Sequence, residues 1–258
     1  MAAKYQLIAG SLREEIRAGT YAQGDKLPTE AALRQKWSVA IGTVRSALAL
    51  LQAEGLIEPD SPRGWFVRRI EHQTYRPQSD GRTLKSLSEN EPWVQQILKE
   101  GREPSQSLEV EIAEPPAAVA ERLRLKPGEQ TAIRRRLRFI NGAPVNIADS
   151  YYPLWMVQGT EVIIPTDIPE GVSRVLTEQG YTQMSAIDEF EVRIATPEEQ
   201  ARLNMSTGQP VAEHRCTTFT SEGQPVRCSV HVLPGDRNLI VYERTWDPHA
   251  ESDPKESK

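Results

Sequence analysis

The 258-residue chain has only two cysteines, Cys216 and Cys228, and their separation gives neither the close pairs of a zinc ribbon nor a redox dithiol. A disulfide scaffold is therefore excluded, and both thiols are expected to be reduced packing residues in a cytoplasmic protein. The four histidines, His72, His214, His231 and His249, are scattered, and no Ser/His/Asp or metal-ligand spacing stands out. Catalysis has no positive support in the motif content, and no cofactor or metal is expected. No apolar run approaches the roughly 20 residues of a membrane-spanning helix. The first residues also lack the basic-then-apolar layout of a secretion signal. No repeat of solenoid length is found.

What is present is ordinary globular composition, 38% hydrophobic and 26% charged, in a chain long enough for two domains. Charge is divided unevenly. Residues 1–72 carry ten basic and eight acidic side chains, whereas residues 73–258 carry 21 basic and 28 acidic, for a net charge of −5. The first 72 residues are therefore weakly positive and the remainder acidic.

Residues 4–18 place Tyr5, Leu7, Ile8, Leu12 and Ile16 mostly on one helical face, and Gly19 stops the run. In GDKLPTEAALRQKW, Pro28 follows an extended Leu27 and Thr29 occupies the N-cap position of a second helix over residues 30–36. A short turn at Trp37 and Ser38 leads to a third helix, with Val44, Leu48 and Leu51 at helical spacing and Gly55 ending it. Residues 56–58 and 65–67 read as two strands around the turn 59–64. Two helices, a tight turn and a wing suit DNA, because the second helix of such a pair fits the major groove with its N-terminal residues toward bases and phosphates. Those residues are Ala40, Ile41, Gly42, Thr43 and Arg45, with Lys36 at the end of the preceding helix. Gly42 costs a helix roughly 0.8–1 kcal/mol relative to alanine, which hints at a close approach to the backbone. Read singly, Gly42 is equally a tolerated helix glycine and Arg45 a solvated cation.

Taken together, GDKLPTEAAL, VAIGTVRSALALLQAEGLIE and RGWFV resemble the winged helix-turn-helix of GntR-type transcription regulators. The resemblance implies DNA contacts by Thr43, Arg45 and Gly64, with Arg63 beside that glycine positioned for the minor groove. Family members usually carry arginines where this chain has Ala31 and Ile41, so the family's usual operator sequence is not implied.

Residues 71–83 read as a linker and residues 247–258 as a disordered tail. Between them, strand-like runs at 107–113, 131–140, 145–152, 211–220, 225–233 and 239–244 alternate with helical segments at 116–123, 170–179 and 197–203. The order lacks a strict βαβ rhythm, which favours α+β. Arg134, Arg135, Arg136 and Arg138 crowd one strand, where alternation puts Arg136 and Arg138 on a common face and Arg135 on the other. Two such guanidinium forks suit a carboxylate or phosphate, although ion pairs with acidic neighbours are the competing reading.

Here the segments PPAAVAERLRLKPGEQTAIRRRLRFINGAPVNIADSYYP, ATPEEQARLNMSTGQPV and GQPVRCSVHVLPGDRN resemble, in order, the UTRA effector domain of the HutC branch. The resemblance implies an N-terminal winged head over residues 1–70 and a chorismate-lyase-like α+β body with a mostly antiparallel sheet over residues 84–246. It further implies a homodimer built through that body and a small-molecule effector that tunes operator affinity. In relatives that bind phosphorylated amino sugars, an arginine pair at this strand position grips the ligand and a loop adds a serine. The matching positions are Arg136, Arg138 and Ser88, with Tyr152 and Ser173 as weaker candidates that suit packing or a helix start. Ala148 and Arg227 stand where such relatives tend to have glutamates, which points away from a neutral polyol and toward an anionic effector. The expected function is a ligand-responsive transcription regulator, usually a repressor in this family. A constitutive DNA-binding dimer and a lyase-like enzyme are the alternatives.

Overall fold

A computed structural model of the chain describes residues 3–60, 62–69, 72–77, 92–168 and 170–244. In the head, α1 (Lys4–Arg17), α2 (Glu30–Trp37) and α3 (Ile41–Ala53) precede a hairpin of β1 (Ile57–Asp60) and β2 (Gly64–Val67). The Thr29 hydroxyl caps α2 by accepting from the Ala32 N–H at 3.2 Å. Ser38, in the left-handed conformation at φ 49°, ends α2 and turns the chain into α3. The inward stripe of α3, Val44, Ala47, Leu48 and Leu51, packs with Ile8 and Leu12 of α1, Leu33 of α2, Ile57 and Val67. Each fully buried leucine or isoleucine stabilises the head by about 1.5–3 kcal/mol, so the inner stripe holds α3 while its outer residues remain exposed. The hairpin pairs Ile57 with Val67 through to Asp60 with Gly64, and Gly64 at φ 117° takes a conformation that other residues rarely adopt.

The body opens with β3 (Gln73–Tyr75), α4 (Pro92–Lys99), β4 (Pro104–Ala113) and α5 (Ala117–Arg122). Next come β5 (Thr131–Ile140), β6 (Ala143–Pro153), α6 (Leu154–Val157), a 3-10 turn (Glu161–Ile163) and α7 (Val172–Glu178). It closes with β7 (Ser185–Ile194), α8 (Pro197–Arg202), β8 (Pro210–Phe219), β9 (Pro225–Pro234) and β10 (Asn238–Ile240). Six strands form one antiparallel sheet in the order β4-β5-β6-β9-β8-β7. Asn141 and Gly142, both at positive φ, make the two-residue turn between β5 and β6.

The two faces of the sheet are covered differently. On the first face, Ile133, Tyr151 and Cys228 pack with Val119 of α5 and Leu123, while Ile147, Val211 and Val232 pack with Leu203 and Met205 beyond α8. On the second, Ala132, Tyr152 and Val226 pack under α6, the 3-10 turn and α7. The middle of the second face is largely polar, and its outer strands carry Leu108, Val110 and Ile112 on β4 and Phe190, Val192 and Ile194 on β7.

Several elements depart from the sequence reading. The segment read as linker contains β3, whose Gln73 and Tyr75 are buried, and residues 78–83 of it lie outside the described residues. The closing strand is shorter than expected and leaves the main sheet, pairing with β3 in parallel from Asn238–Gln73 to Ile240–Tyr75. Strand β7 and helix α4 had no counterpart in the sequence reading. The expected disordered tail lies outside the described residues.

Candidate functional site

The N-terminus of α3 is open. Its N-cap, Ala40, offers no side-chain bond, so the first amides of the helix keep donors free for an incoming group. Ile41, Gly42 and Arg45 are exposed and Thr43 half-buried. A Cβ added to Gly42 would meet nothing within 4 Å, so packing within the chain does not require glycine there. Arg45 is held by Glu30 at 2.9 Å and Lys36 by Glu15 at 3.3 Å, both at the surface, where such pairs are weak and can be exchanged for phosphates. On the wing, Arg63 pairs with Asp60 and lies over the Phe66 ring. Lys26 was not singled out from sequence. It bridges to Phe66, and its side chain passes 3.4 Å from where a Cβ on Gly64 would stand, which adds a cation beside the wing tip.

In the body, strand alternation sorts charge by face. On the first face lie Glu109, Glu111, Asp149, Glu189, Glu191 and Glu213 together with Arg135, Arg193 and Arg215. Most of these are held in ion pairs. Arg135 bonds Glu111 and Asp149, Arg193 bonds Glu199 and Glu213, Arg215 bonds Glu191 and Glu213, and Arg122 from α5 bonds Glu189. The Arg122 hydrogen bond holds the Glu189 carboxyl below the usual range, whereas burial pushes Asp149 up despite Arg135. Thus the competing ion-pair reading of the arginine run is correct for Arg135.

The second face carries Arg134, Arg136, Arg138, Arg227, His214 and His231, with Asp188 as its one strand carboxylate among the described residues. Arg134 is fully buried and committed to the fold, donating to the carbonyls of Val162 and Ile164, both at 2.9 Å, and Thr166 at 2.7 Å. Arg136 and Arg138 stand opposite Ala148 and Asn146. Between them and the next strand the floor is small: Ala148 pairs with His231, and Ser150 with Ser229, their hydroxyls 3.1 Å apart. Arg227 is 1% exposed, and its Nε and Nη1 have no hydrogen-bond partner, nor does Oγ1 of Thr218 opposite it.

The other expected effector residues divide. Ser88 lies outside the described residues. Tyr152 shares the face of Arg136 but is buried in the apolar cluster with Met156 and Val157. Ser173 accepts a hydrogen bond from Gln183 at 2.9 Å. The histidines that look scattered in sequence are brought together by the strand register. His214 and His231 stack with centroids 5.6 Å apart, and Phe190 stacks on His214 at 4.3 Å. Asp188, His214 and Cys216 hold donor atoms within 4.8 Å of one another. Both nitrogens of His214 are already engaged, Nδ1 with the Tyr75 hydroxyl at 2.7 Å and Nε2 with Asp188 at 2.8 Å, so metal ligation would break one of these bonds. Cys216 and Cys228 are buried on opposite faces and remain free thiols.

Tyr75 ties this face to the chain segment that leaves the head. It lies on β3, while Arg68, just after the wing, pairs with Asp236, and the Gln73 N–H donates to the Arg237 carbonyl at 2.7 Å.

Comparison with known proteins agrees with both halves. Residues 4–67 match the bacterial regulatory proteins of the gntR family, and residues 99–238 match the UTRA domain. An uncharacterised HTH-type transcriptional regulator of Streptomyces coelicolor is 29% identical over 251 residues, covering 94% of this chain and 93% of its own. The HTH-type transcriptional regulator GgaR of Escherichia coli K12 is 22% identical over 243 residues, covering 93% and 90%. A crystal structure of a GntR-family transcriptional regulator superposes with a TM-score of 0.59 at 26% identity, covering 95% of this chain and 98% of that one. PhnF from Mycobacterium smegmatis shares the fold, with a TM-score of 0.54 at 16% identity, covering 93% and 100%. The chain belongs to the GntR family of bacterial regulators and carries a UTRA domain: it is a transcription regulator, with a DNA-binding helix-turn-helix and an effector-binding body, and not an enzyme.

Proposed function

We propose that this regulator works as a cytoplasmic homodimer of the HutC type, most simply a repressor, whose grip on a palindromic operator is set by a small anionic effector bound on the second face of the UTRA sheet. The observation that carries the reading is the balance of charge on the two faces: carboxylates gather on one, where three arginines pair with them, while four arginines and two histidines stand on the other with Asp188, although the body as a whole is acidic. Arg136 and Arg138 are the main anchors, Ser88 an additional ligand from the loop, and Tyr152 and Ser173 lie at the margin. Domain limits of 1–70 for the head, 71–83 for the linker, 84–246 for the body and 247–258 for the tail accompany this reading.

DNA contact is assigned to Lys36, Ala40, Ile41, Gly42, Thr43, Arg45, Arg63 and Gly64. Phosphates would meet the open amides of α3 and the cations, and Ile41 would meet a thymine methyl. Dimerisation is supported by β7. This ten-residue edge strand is exposed along nearly its whole length and displays Ile187, Phe190, Val192 and Ile194, with Val192 77% exposed. A long apolar edge invites pairing with another strand, and a second copy would cover it. Among the described residues no helix is long and apolar enough to cross a membrane.

Binding of effector would reach the heads through β3, which Tyr75 fastens to His214 on the effector face. Such a switch requires the effector to bind two arrangements with different affinity, typically by about 1–3 kcal/mol. The test is a double dissociation. Arg45→Ala is expected to weaken operator binding and leave effector binding intact, and Arg136→Ala to do the reverse. Should both variants lose both activities with folding preserved, the division of roles is wrong. An operator complex insensitive to any bound acid would instead indicate a constitutive dimer.

A further inference from the structure

The sheet also bears on what kind of anion fits. Arg227 lies on β9 at a bulge, where Arg227 pairs with Thr218 and Pro225 with Phe219, leaving Val226 between them. Val226 packs with Ala132 and Tyr152, and Arg227, beside it, is on the face of Ser229 and His231. An arginine is always charged, and a buried charge without a partner is strongly disfavoured. Yet Nε and Nη1 of Arg227 are buried and unpartnered, and Thr218 leaves a second polar atom unpartnered opposite. Among the described residues the one strand carboxylate on this face, Asp188, is engaged by His214. The first face shows what this chain does with arginines that serve the fold: Arg135, Arg193 and Arg215 each bond two acids. Arg134, the structural arginine of the second face, uses its guanidinium on three carbonyls.

We infer that the effector is a small acid with two separated acidic groups, one held by Arg136 and Arg138 and the other by Arg227, lying over the small floor of Ala148, Ser150 and Ser229. This rests on the proposed effector face and specifies its ligand. By register, Arg227 is two strands across and four residues along from Arg136, which sets their Cα atoms roughly 17 Å apart at ordinary strand spacings. A separation of that order, spanned in part by two long side chains, suits a compact molecule with an acid at each end. The acids are carboxylates or phosphates, since guanidinium forks take either.

The experiment measures melting temperature and calorimetric affinity of the full chain with succinate, glutarate, adipate and 3-phosphoglycerate, against acetate, butyrate and glucose. Two-acid compounds are expected to bind and stabilise the protein, with a preferred length, while single acids bind at least about tenfold more weakly and glucose not at all. Arg227→Met is expected to lower affinity for the preferred compound to that of a single acid while leaving the ligand-free melting temperature equal or higher, because a buried unpaired charge has been removed. Arg227→Lys should keep the preference with reduced affinity. Equal binding of single and double acids, no response to any double acid, or an Arg227→Met protein that melts earlier yet binds unchanged would overturn the inference. Operator affinity measured with the same compounds separates this from the broader reading. A single acid that releases or tightens the operator complex leaves effector control standing and removes only the second anchor. A double acid that binds through Arg227 without changing the complex does the opposite.

Discussion

At the scale of single residues, the helix glycine and the acid pairs make opposite kinds of statement. Gly42 has open space around it and no positive φ, so the fold gains nothing from it. Gly42→Ala is therefore expected to stabilise the head by about 0.8–1 kcal/mol in urea denaturation. The same change should weaken operator binding by anisotropy, since the added methyl occupies the surface a phosphate would approach. If operator affinity is unchanged or rises with stability, the glycine does not serve DNA. Glu189, by contrast, serves the fold. Its carboxyl is held low by the Arg122 hydrogen bond, so the stabilisation is present above the ordinary glutamate pKa of about 4.3 and is lost as pH falls through the lower folded value. Denaturation between pH 7 and 3 should show Glu189→Gln less stable at neutral pH, with the deficit shrinking in acid. A constant deficit across that range would argue against the linkage.

At the scale of elements, one arginine fastens a whole segment. Arg134 closes the 3-10 turn and the residues after it onto β5 through three carbonyls. Arg134→Met leaves those carbonyls unsatisfied and is expected to cost at least about 2 kcal/mol, read by urea denaturation. A neutral result would mean that water replaces the guanidinium. Helical elements with an apolar stripe and a cap, such as α2 behind Thr29, were legible to within a residue or two in the sequence. So were hairpins with a defined turn, such as the one at Asn141 and Gly142. Strand β7 was not read, although its signal was present: Phe190, Val192 and Ile194 alternate with Glu189, Glu191 and Arg193 at the period of a strand. Nor was β3, three residues long and held by a parallel partner some 160 residues later in the chain, since such pairing has no local signature. The candidate site was partly legible for the same reason. Alternation within one strand isolates Arg136 and Arg138 from Arg135, whereas the meeting of His214, His231 and Asp188 depends on register between strands. Tyr75→Phe tests the route from that meeting point to the head. It should leave operator and effector affinities nearly unchanged when measured separately and reduce the effect of one on the other.

At the scale of the whole molecule, an acidic chain binds DNA through a head with little positive excess, and the proposed dimer would gain affinity by placing two heads at once on matched half-sites. On the proposed reading, the exposed apolar edge of β7 and the cationic second face of the sheet would have complementary uses, one for joining two copies and one for sensing an acid. Most direct as a test is fluorescence anisotropy of the purified protein on DNA from its own upstream region, with random duplex as control, at several salt concentrations. The expected result is tight, saturable binding to a palindrome at two chains per site, well above the random duplex at every salt concentration. Equal binding to both duplexes, falling together and steeply as salt rises, would contradict sequence-specific regulation by this head on that DNA.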